Sequence, residues 1–307
     1  MDSAAWTHRQ SRALPASAQR VFLALTSPVE LRQWFAEAVS VDLRLDGEFA
    51  FWGRHTYGAP ARPDSRQQIT RFERDRVLGF QWPFDGVESE VVLALSAEAE
   101  GGPTDKTALA LEHRFAVKPA GPYGEELIDD LWRLTLGNLD AHLRGGEGIV
   151  LPDYSDPSPE VQLSIVIDAP TDRVFQALIN SAALNQWIAS AAEVEPRIGG
   201  RYSYGWTYEH GGRSVAGGPT RILDLVPNER LVTDWPDWRG DPTRPTTRVA
   251  WLLEPLGGKT RVTVVHGDFA RTTDISDYPF GWSGFLSQLK AHLEGLPGEE
   301  SKARAHE

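Results

Sequence analysis

The strongest constraint on the fold of this chain is that its sequence is built twice. The two copies are related by a constant spacing of 153 positions, as in Trp34 and Trp187. The same spacing joins further glycine, histidine and core positions: Arg20-Val21-Phe22 with Arg173-Val174-Phe175, Gly47 with Gly200, Trp82-Pro83 with Trp235-Pro236, and His113 with His266. Because a repeat of this length is the size of a whole domain, the 307 residues predict two domains of one fold.

Each copy ends in a long amphipathic helix. In the second copy, apolar residues recur at steps of three and four, which places them on one face of a helix of about four turns. They are Trp282, Phe285, Leu286, Leu289 and Leu293. The first copy has the same helix from Leu127 to Gly145, with Trp132 in the place of Trp282. An apolar face this aromatic needs a large apolar surface to cover it.

The region before each closing helix predicts short antiparallel strands. Apolar residues alternate with polar ones from Val161 to Ile167, which is typical of a strand. Two short helices follow and end at Trp34 and Trp187. The next strands are separated by turn pairs such as Asp46-Gly47 rather than by helices, which favours an antiparallel sheet. Each copy is therefore predicted to be α+β, with about six to seven strands and a long C-terminal helix.

The same patterns predict the domain boundaries. The first domain, the more divergent copy, is expected at residues 1–146, and the second at residues 160–296. A segment rich in glycine, proline and aspartate at residues 147–159 is predicted to link them. The charged residues 297–307 are predicted to form a tail.

Composition excludes several classes of function. The chain has no cysteine, so disulfides, thiolate nucleophiles and cysteine metal sites are excluded, and its eight histidines lack the spacing of metal ligands. The net charge of −12 argues against a nucleic-acid partner. With no long apolar run and no export signal, we expect no membrane span and a cytoplasmic location. No metal and no cofactor are expected.

A series of short motifs also carries a family resemblance. They are Ala169-Pro170-Thr171 with Val174-Phe175 and Ala177-Leu178, then Leu184 with Trp187, Gly199-Gly200-Arg201-Tyr202, Thr263-Val264-Val265-His266, and Gly281-Trp282 with Leu286, Leu289 and Leu293. In this order they resemble the START-like (SRPBCC, birch-pollen-allergen-type helix-grip) superfamily, and within it the branch of the activator of Hsp90 ATPase. The resemblance implies a curved antiparallel sheet that grips the closing helix around an apolar cavity. It implies little about function, since the superfamily includes ligand binders, cyclases and regulators of protein partners.

The aromatic residues indicate where such a cavity would lie. Tyr202, Tyr204, Trp206 and Tyr208 alternate as on one face of a strand, so the second copy is expected to hold the larger cavity. Its predicted ligand-binding residues are Tyr204, Trp206, Trp235, His266 and Trp282, and those of the first copy are Phe51, Trp82, His113 and Trp132. The alternative is that these rings fill the core and leave no cavity. His55 lies in a loop near the predicted mouth, where a solvated histidine is the simpler interpretation.

His266 and Asp234 are the candidates for catalysis, as acid or base near neutral pH. A structural histidine, bonded to backbone or to a carboxylate, is the favoured interpretation, so no catalytic residue is assigned with certainty. Three functions remain open at this point. The first is binding of a hydrophobic small molecule without catalysis, the second a cyclase- or hydrolase-like enzyme, and the third an interaction module like the chaperone-ATPase activator.

Overall fold

The structure is a computed structural model that describes residues 5–97, 106–119, 124–146, 148–210, 212–237, 240–241 and 243–296. The predicted tail at residues 297–307 lies outside these ranges. The chain divides into two compact units. The first runs to Pro157 and includes Thr272–Asp277, and the second contains Ser158–Arg271 and the chain from Tyr278 onward.

The first domain follows the predicted order of elements. A strand is followed by two short helices, six further strands and a long helix. They are β1 (Trp6–Leu14), α1 (Ala18–Thr26), α2 (Pro28–Trp34), β2 (Ala38–Val41), β3 (Phe49–Trp52), β4 (Ile69–Glu73), β5 (Val77–Gln81), β6 (Ser89–Ala97), β7 (Thr107–Phe115) and α3 (Gly124–Leu143).

The second domain repeats this order with additional short strands. Its elements are β8 (Val161–Ile167), α4 (Thr171–Ile179), α5 (Ser181–Trp187), β9 (Glu193–Val194), β10 (Tyr202–Ser203), β11 (Trp206–His210), β12 (Arg213–Gly217), β13 (Ile222–Val226), β14 (Arg230–Trp235), β15 (Thr247–Leu256), β16 (Lys259–Gly267) and α6 (Tyr278–Glu294).

Both domains have the same five-stranded antiparallel sheet. The strand order is β1-β7-β6-β5-β4 in the first domain and β8-β16-β15-β14-β13 in the second. Both sheets have a β-bulge at the same repeat position, between Ile69 and Arg71 and between Ile222 and Asp224. Shared register and shared irregularity confirm two tandem α+β domains of one fold.

The hydrogen bonds that join the two short helices to each other, and the chain before them to the sheet, are also repeated. The indole of Trp34 donates to the carbonyl of Ala24 at 3.1 Å, and that of Trp187 donates to the carbonyl of Ala177 at 3.1 Å. In addition, the hydroxyl of Thr107 donates to the carbonyl of Ala16, and that of its repeat partner Thr260 donates to the carbonyl of Ala169, both at 2.7 Å. These buried polar groups are therefore satisfied in the same way in both copies.

Each closing helix packs its apolar face on the core of its own domain. In α3 the buried face includes Ile128, Leu131, Trp132 and Leu139, and in α6 it includes Trp282, Leu286, Leu289 and Leu293. The first core also contains Phe49, Phe51, Phe80 and Trp82 from the strands. The predicted packing of sheet against closing helix is thus confirmed.

One predicted strand is wrong. The alternation from Tyr202 to Tyr208 predicts a continuous strand, but the chain breaks between Ser203 and Trp206 into β10 and β11. The break occurs at Gly205, whose φ of +70° a strand cannot accommodate. Beyond it, β11 pairs with β12, a strand that the sequence interpretation missed. The side chain of Tyr208 lies outside the described part of the structure.

Candidate functional site

The predicted histidines lie in one repeated hydrogen-bond network. The indole of Trp132 donates to Nδ1 of His113 at 3.1 Å, and the indole of Trp282 donates to Nδ1 of His266 at 3.1 Å. On the other side of each ring, Nε2 lies 2.8 Å from a hydroxyl, that of Ser89 in the first domain and that of Thr247 in the second. The network thus joins the last strand, the closing helix and a neighbouring strand.

The network fixes the tautomer of each histidine. An indole N–H can only donate, so Nδ1 accepts and the proton of the neutral ring is on Nε2. Nε2 then donates to the hydroxyl of Thr247, which donates in turn to the carbonyl of Trp235 at 2.9 Å. Ser89 donates to the carbonyl of Trp82 in the same way. Both nitrogens of each ring are therefore used within the domain.

Burial keeps both rings neutral. His113 and His266 are both fully buried. Burial lowers the pKa of His266 to about 3, and burial together with the charge of His8 lowers the pKa of His113 well below its usual value. A general base works best with a pKa near the operating pH, so these rings are poorly suited to proton transfer at pH 7. The geometry corresponds to the structural interpretation of both histidines.

Asp234 is buried and has its own partners. Its carboxylate accepts from the backbone N–H of Thr220 at 2.7 Å and from that of Arg221 at 2.9 Å. The hydroxyl of Thr220 donates to it as well. These bonds fix the chain that leads into β13, and they occupy the carboxylate that sequence analysis proposed as acid or base.

The second-domain ligand-binding candidates lie together, packed against one another. Ring centroids are 4.8 Å apart for Tyr204 and Trp206, and 5.0 Å apart for Trp235 and Trp282. The indole of Trp206 donates to the carbonyl of Ile188 at 2.8 Å. The rings therefore pack against each other's faces and edges, as in a well-packed core.

A small cavity lies in the first domain, between the sheet and α3. Its volume is about 20 Å³, which is room for about one water molecule. Two predicted residues, Phe51 and Trp82, line it, whereas Trp132 and His113 do not. Further lining comes from Trp34, Phe35, Tyr57, Leu131, Thr135 and Asn138. Aromatic rings thus form much of its wall, with centroids 4.9 Å apart for Phe35 and Phe51.

The chain after α3 closes one side of this cavity. We call residues Val150–Tyr154 the linker strap. The amide of Asn138 bonds both backbone groups of Val150, with N–H to Oδ1 at 2.8 Å. His55 donates from Nδ1 to the carbonyl of Pro152 at 2.7 Å, so it is not simply solvated. The N–H of Tyr154 donates to the carbonyl of Arg54 at 2.9 Å, and the side chains of Pro152 and Tyr154 line the cavity.

The cavity wall contains a hydroxyl without a partner. Thr56 is 5% exposed, and its Oγ1 has no hydrogen-bond partner among the residues that the structure describes. A buried polar atom left unpaired costs about 1–3 kcal/mol, so it marks a place where a ligand atom would be stabilised. Next to it, the ring of Tyr57 meets that of Tyr154 edge to face, with centroids 5.8 Å apart.

The residues predicted for the site do not include Thr56, Tyr57, Asn138 or Tyr154. Three of them belong to connecting segments and the fourth is a polar residue on a helix face, for which periodicity gives no signal. Of these residues, Tyr154 could have been predicted, because it is an aromatic residue inside a segment of glycine, proline and aspartate. A tyrosine in such a segment tends to bury its ring, and the nearest apolar surface belongs to the first domain, from which the segment continues.

Two further observations concern the part of the chain that the structure describes. No group of three or more histidine, aspartate or glutamate side chains there is arranged to hold a metal ion. Within the same residues, no helix is long and apolar enough to cross a membrane.

The repeated sheet, the two short helices and the buried closing helix define each domain as a helix-grip domain of the START-like class. The chain belongs to the family described as Activator of Hsp90 ATPase homolog 1-like protein, whose sequence model matches residues 15–144 and again residues 168–294. The comparison with curated proteins gave no match.

Among solved structures, some match about half of this chain and others match most of it. The Aha1 dimer from Colwellia psychrerythraea is 22% identical, with a TM-score of 0.35, over 44% of this chain and 96% of that one. DynU16, from the dynemicin biosynthetic locus, is 18% identical, with a TM-score of 0.38, over 92% of this chain and 97% of that one. The di-domain ARO/CYC BexL, from the BE-7585A biosynthetic pathway, is 15% identical, with a TM-score of 0.35, over 95% of this chain and 100% of that one.

Proposed function

We propose that the protein binds a small aromatic molecule with one polar group in the first domain, between the sheet and α3. The observation that carries this proposal is the unpartnered Thr56 hydroxyl on the wall of an aromatic cavity. Apolar walls with a few polar groups are typical of small-molecule sites. A ligand hydroxyl or carbonyl would satisfy Thr56 while its ring packed on Phe51 and Trp82.

The size of the cavity requires one wall to move. A volume of about 20 Å³ is too small for a ring, since a cavity of about 150 Å³ is needed for benzene. The walls from β3, the end of β5 and α3 are fixed by the domain core. The linker strap belongs to no strand or helix, and we expect ligand entry to displace the side chain of its Tyr154.

The cost of this movement can be bounded. Five hydrogen bonds hold the linker strap: two with the amide of Asn138, and one each with His55, the carbonyl of Arg54 and the hydroxyl of Thr272. At about 0.5–1.5 kcal/mol each, they stabilise the closed strap by about 2.5–7.5 kcal/mol. The observed affinity for a ligand would be lowered by the same free energy.

Two matched probes test the proposal on the full chain. 2-Naphthol carries one hydroxyl and naphthalene carries none. We expect saturable binding of one 2-naphthol per chain by fluorescence titration, about fivefold to tenfold tighter than naphthalene, for one hydrogen bond to Thr56. Thr56→Val keeps the shape of the side chain and should abolish this preference. Equal affinity for both probes in the wild type would contradict the role of Thr56.

Two control variants test the location. Tyr154→Ala enlarges the first-domain cavity and should tighten binding of 2-naphthol. Trp206→Ala alters the second-domain cluster and should leave binding unchanged. If Trp206→Ala abolishes binding and Tyr154→Ala has no effect, the second-domain residues Tyr204, Trp206, Trp235, His266 and Trp282 are the site, and the first-domain proposal is wrong.

The other functions stay predictions. An enzyme that uses His266 as a base would have to break the bond between Nδ1 and the indole of Trp282 before proton transfer. An interaction with a protein partner and a cytoplasmic location are expectations from the sequence.

A further inference from the structure

In the first domain, three charged or polar side chains join the two short helices to the closing helix, and we call this group the buttress. The second domain has two of the three. Arg20, on α1, donates from Nη1 to the carboxylate of Glu30, on α2, at 2.7 Å. His142, near the end of α3, donates from Nε2 to the same carboxylate at 2.7 Å. Burial alone would raise the pKa of Glu30, but the bonds from His142 and Arg20 outweigh it and lower that pKa. The carboxylate is therefore held as an anion between two donors.

The second domain keeps the two donors and has lost the carboxylate. Arg173 stands at the repeat position of Arg20, and His292 at that of His142. At the position of Glu30 the second copy has Ala183, whose methyl group cannot accept a hydrogen bond. Arg173 instead donates to the carbonyl of Leu293 at 3.5 Å, and it makes no ion pair with any residue that the structure describes.

A groove marks the place of the missing side chain. It has a volume of about 260 Å³ and lies between α4, the start of α5 and the end of α6. Arg173, His292 and Ala183 all line it, together with the amides of Gln176 and Asn180. The groove opens to solvent and is large enough for a small organic acid.

We propose that this groove binds the carboxylate of a small organic acid, at the place that Glu30 fills in the first domain. Arginine and histidine would donate to it with the geometry that the chain already uses once. Planar guanidinium groups suit carboxylates, and the two amides could bond further polar groups of the acid. This site is separate from the apolar cavity of the first domain and does not depend on it.

One negative charge at the groove would disfavour the binding of an anion. The carboxylate of Asp172 also lines the groove, on the residue before Arg173. Its repulsion would weaken binding of an anion, so Asp172→Asn should tighten it. Burial and the charge of Arg173 lower the pKa of His292, and a bound carboxylate would raise it again, because an anion stabilises the imidazolium form.

Sodium propionate, which carries the acidic group of a glutamate side chain, is the probe. The full chain is titrated with propionate or with sodium chloride at equal ionic strength, and the imidazole resonances of His292 are followed by NMR. We expect a saturable shift and a raised pKa of His292 with propionate only. Arg173→Gln should weaken the affinity up to about fivefold, the upper end of the loss expected for one exposed ion pair.

Two further variants exchange the residues at the one buttress position that differs between the copies, so each domain serves as a control for the other. Ala183→Glu should restore the buttress in the second domain, raise the pKa of His292 without any probe, and abolish its response to propionate. Glu30→Ala should make His142 responsive to propionate. The proposal is overturned if chloride shifts His292 as much as propionate does, or if Arg173→Gln leaves the propionate affinity unchanged. Arg173→Gln tests the proposal even if Ala183→Glu does not fold.

Discussion

The residues that the two copies share are those that the fold needs. The indole–imidazole–hydroxyl network is kept in both domains with the same distances of 3.1 and 2.8 Å, although serine in one copy is threonine in the other. Loss of one member of this network would leave a buried polar group without its hydrogen bond, which would lower the stability of the domain. Repetition of His113 and His266 therefore indicates a structural role, whereas differences such as Glu30 and Ala183 indicate where the two domains have diverged.

The buried imidazole predicts how stability depends on pH. The pKa of His266 is about 3 in the folded domain, and an exposed histidine in the unfolded chain titrates near its ordinary value of 6.5. Between these values the unfolded chain binds a proton that the folded domain does not. The contribution of His266 is thus complete above pH 6.5 and is lost as the pH falls toward 3, by up to about 1.4 kcal/mol per pH unit.

Urea unfolding of the wild type and of His266→Gln, from about pH 7 to about pH 4, measures this contribution. The variant should be less stable at neutral pH, because its amide does not reproduce both bonds of the ring. Its free energy of unfolding should fall less steeply with decreasing pH, since one titrating group has been removed. Parallel pH profiles for the two proteins would show that His266 does not titrate as the structure requires.

At the scale of elements, the sequence predicted the order of helices and strands in the first domain and most of it in the second, because hydrophobic period and turn residues agree there. The prediction of a continuous strand from Gly200 to Tyr208 was wrong, because the alternation of aromatic residues outweighed the single glycine that interrupts it. Gly205 has a φ of +70°, and its backbone approaches Ala191 so closely that a Cβ would lie 2.6 Å from the carbonyl oxygen of Ala191. Close approach of this kind depends on tertiary structure, which a pattern of period two does not record.

Gly205→Ala should therefore destabilise the second domain strongly. Positive φ and a steric clash each cost about 1–3 kcal/mol, so we expect a loss of about 2–6 kcal/mol in urea unfolding. Gly212→Ala is the matched control, because Gly212 has a φ of +72° and a Cβ added there would have no described atom within 4 Å beyond its chain neighbours. It should cost about 1 kcal/mol. Equal losses for the two variants would mean that the contact with Ala191 does not matter.

The candidate site was only partly predictable for a related reason. The number of aromatic residues favoured a cavity in the second domain, whereas two of the first-domain candidates, Phe51 and Trp82, line a cavity in the structure. A cavity, however, is the volume that side chains leave unfilled, and a count of rings does not measure it. Thr56 and Tyr154 reach the site from a loop and from the linker strap, where no periodic pattern exists to reveal them.

For the whole molecule, duplication allowed the two copies to keep one scaffold and differ in what they offer a ligand. The described structure gives the first domain an aromatic cavity with an unpartnered hydroxyl and a complete charged buttress. It gives the second domain an interlocked aromatic cluster and a buttress that lacks its carboxylate. Under both proposals, each domain would respond to a different class of molecule.

Hydrogen exchange can separate these responses within the full chain. A ligand that binds one folded domain stabilises that domain by about 2.7 kcal/mol at 100 times its Kd, which slows exchange through its unfolding by about 100-fold. We expect 2-naphthol to slow the most protected amides of α3 and propionate to slow those of α6. Thr56→Val should reduce the first effect alone, and Arg173→Gln the second alone. If either probe slowed both helices equally, the assignment of one ligand class to each domain would be wrong.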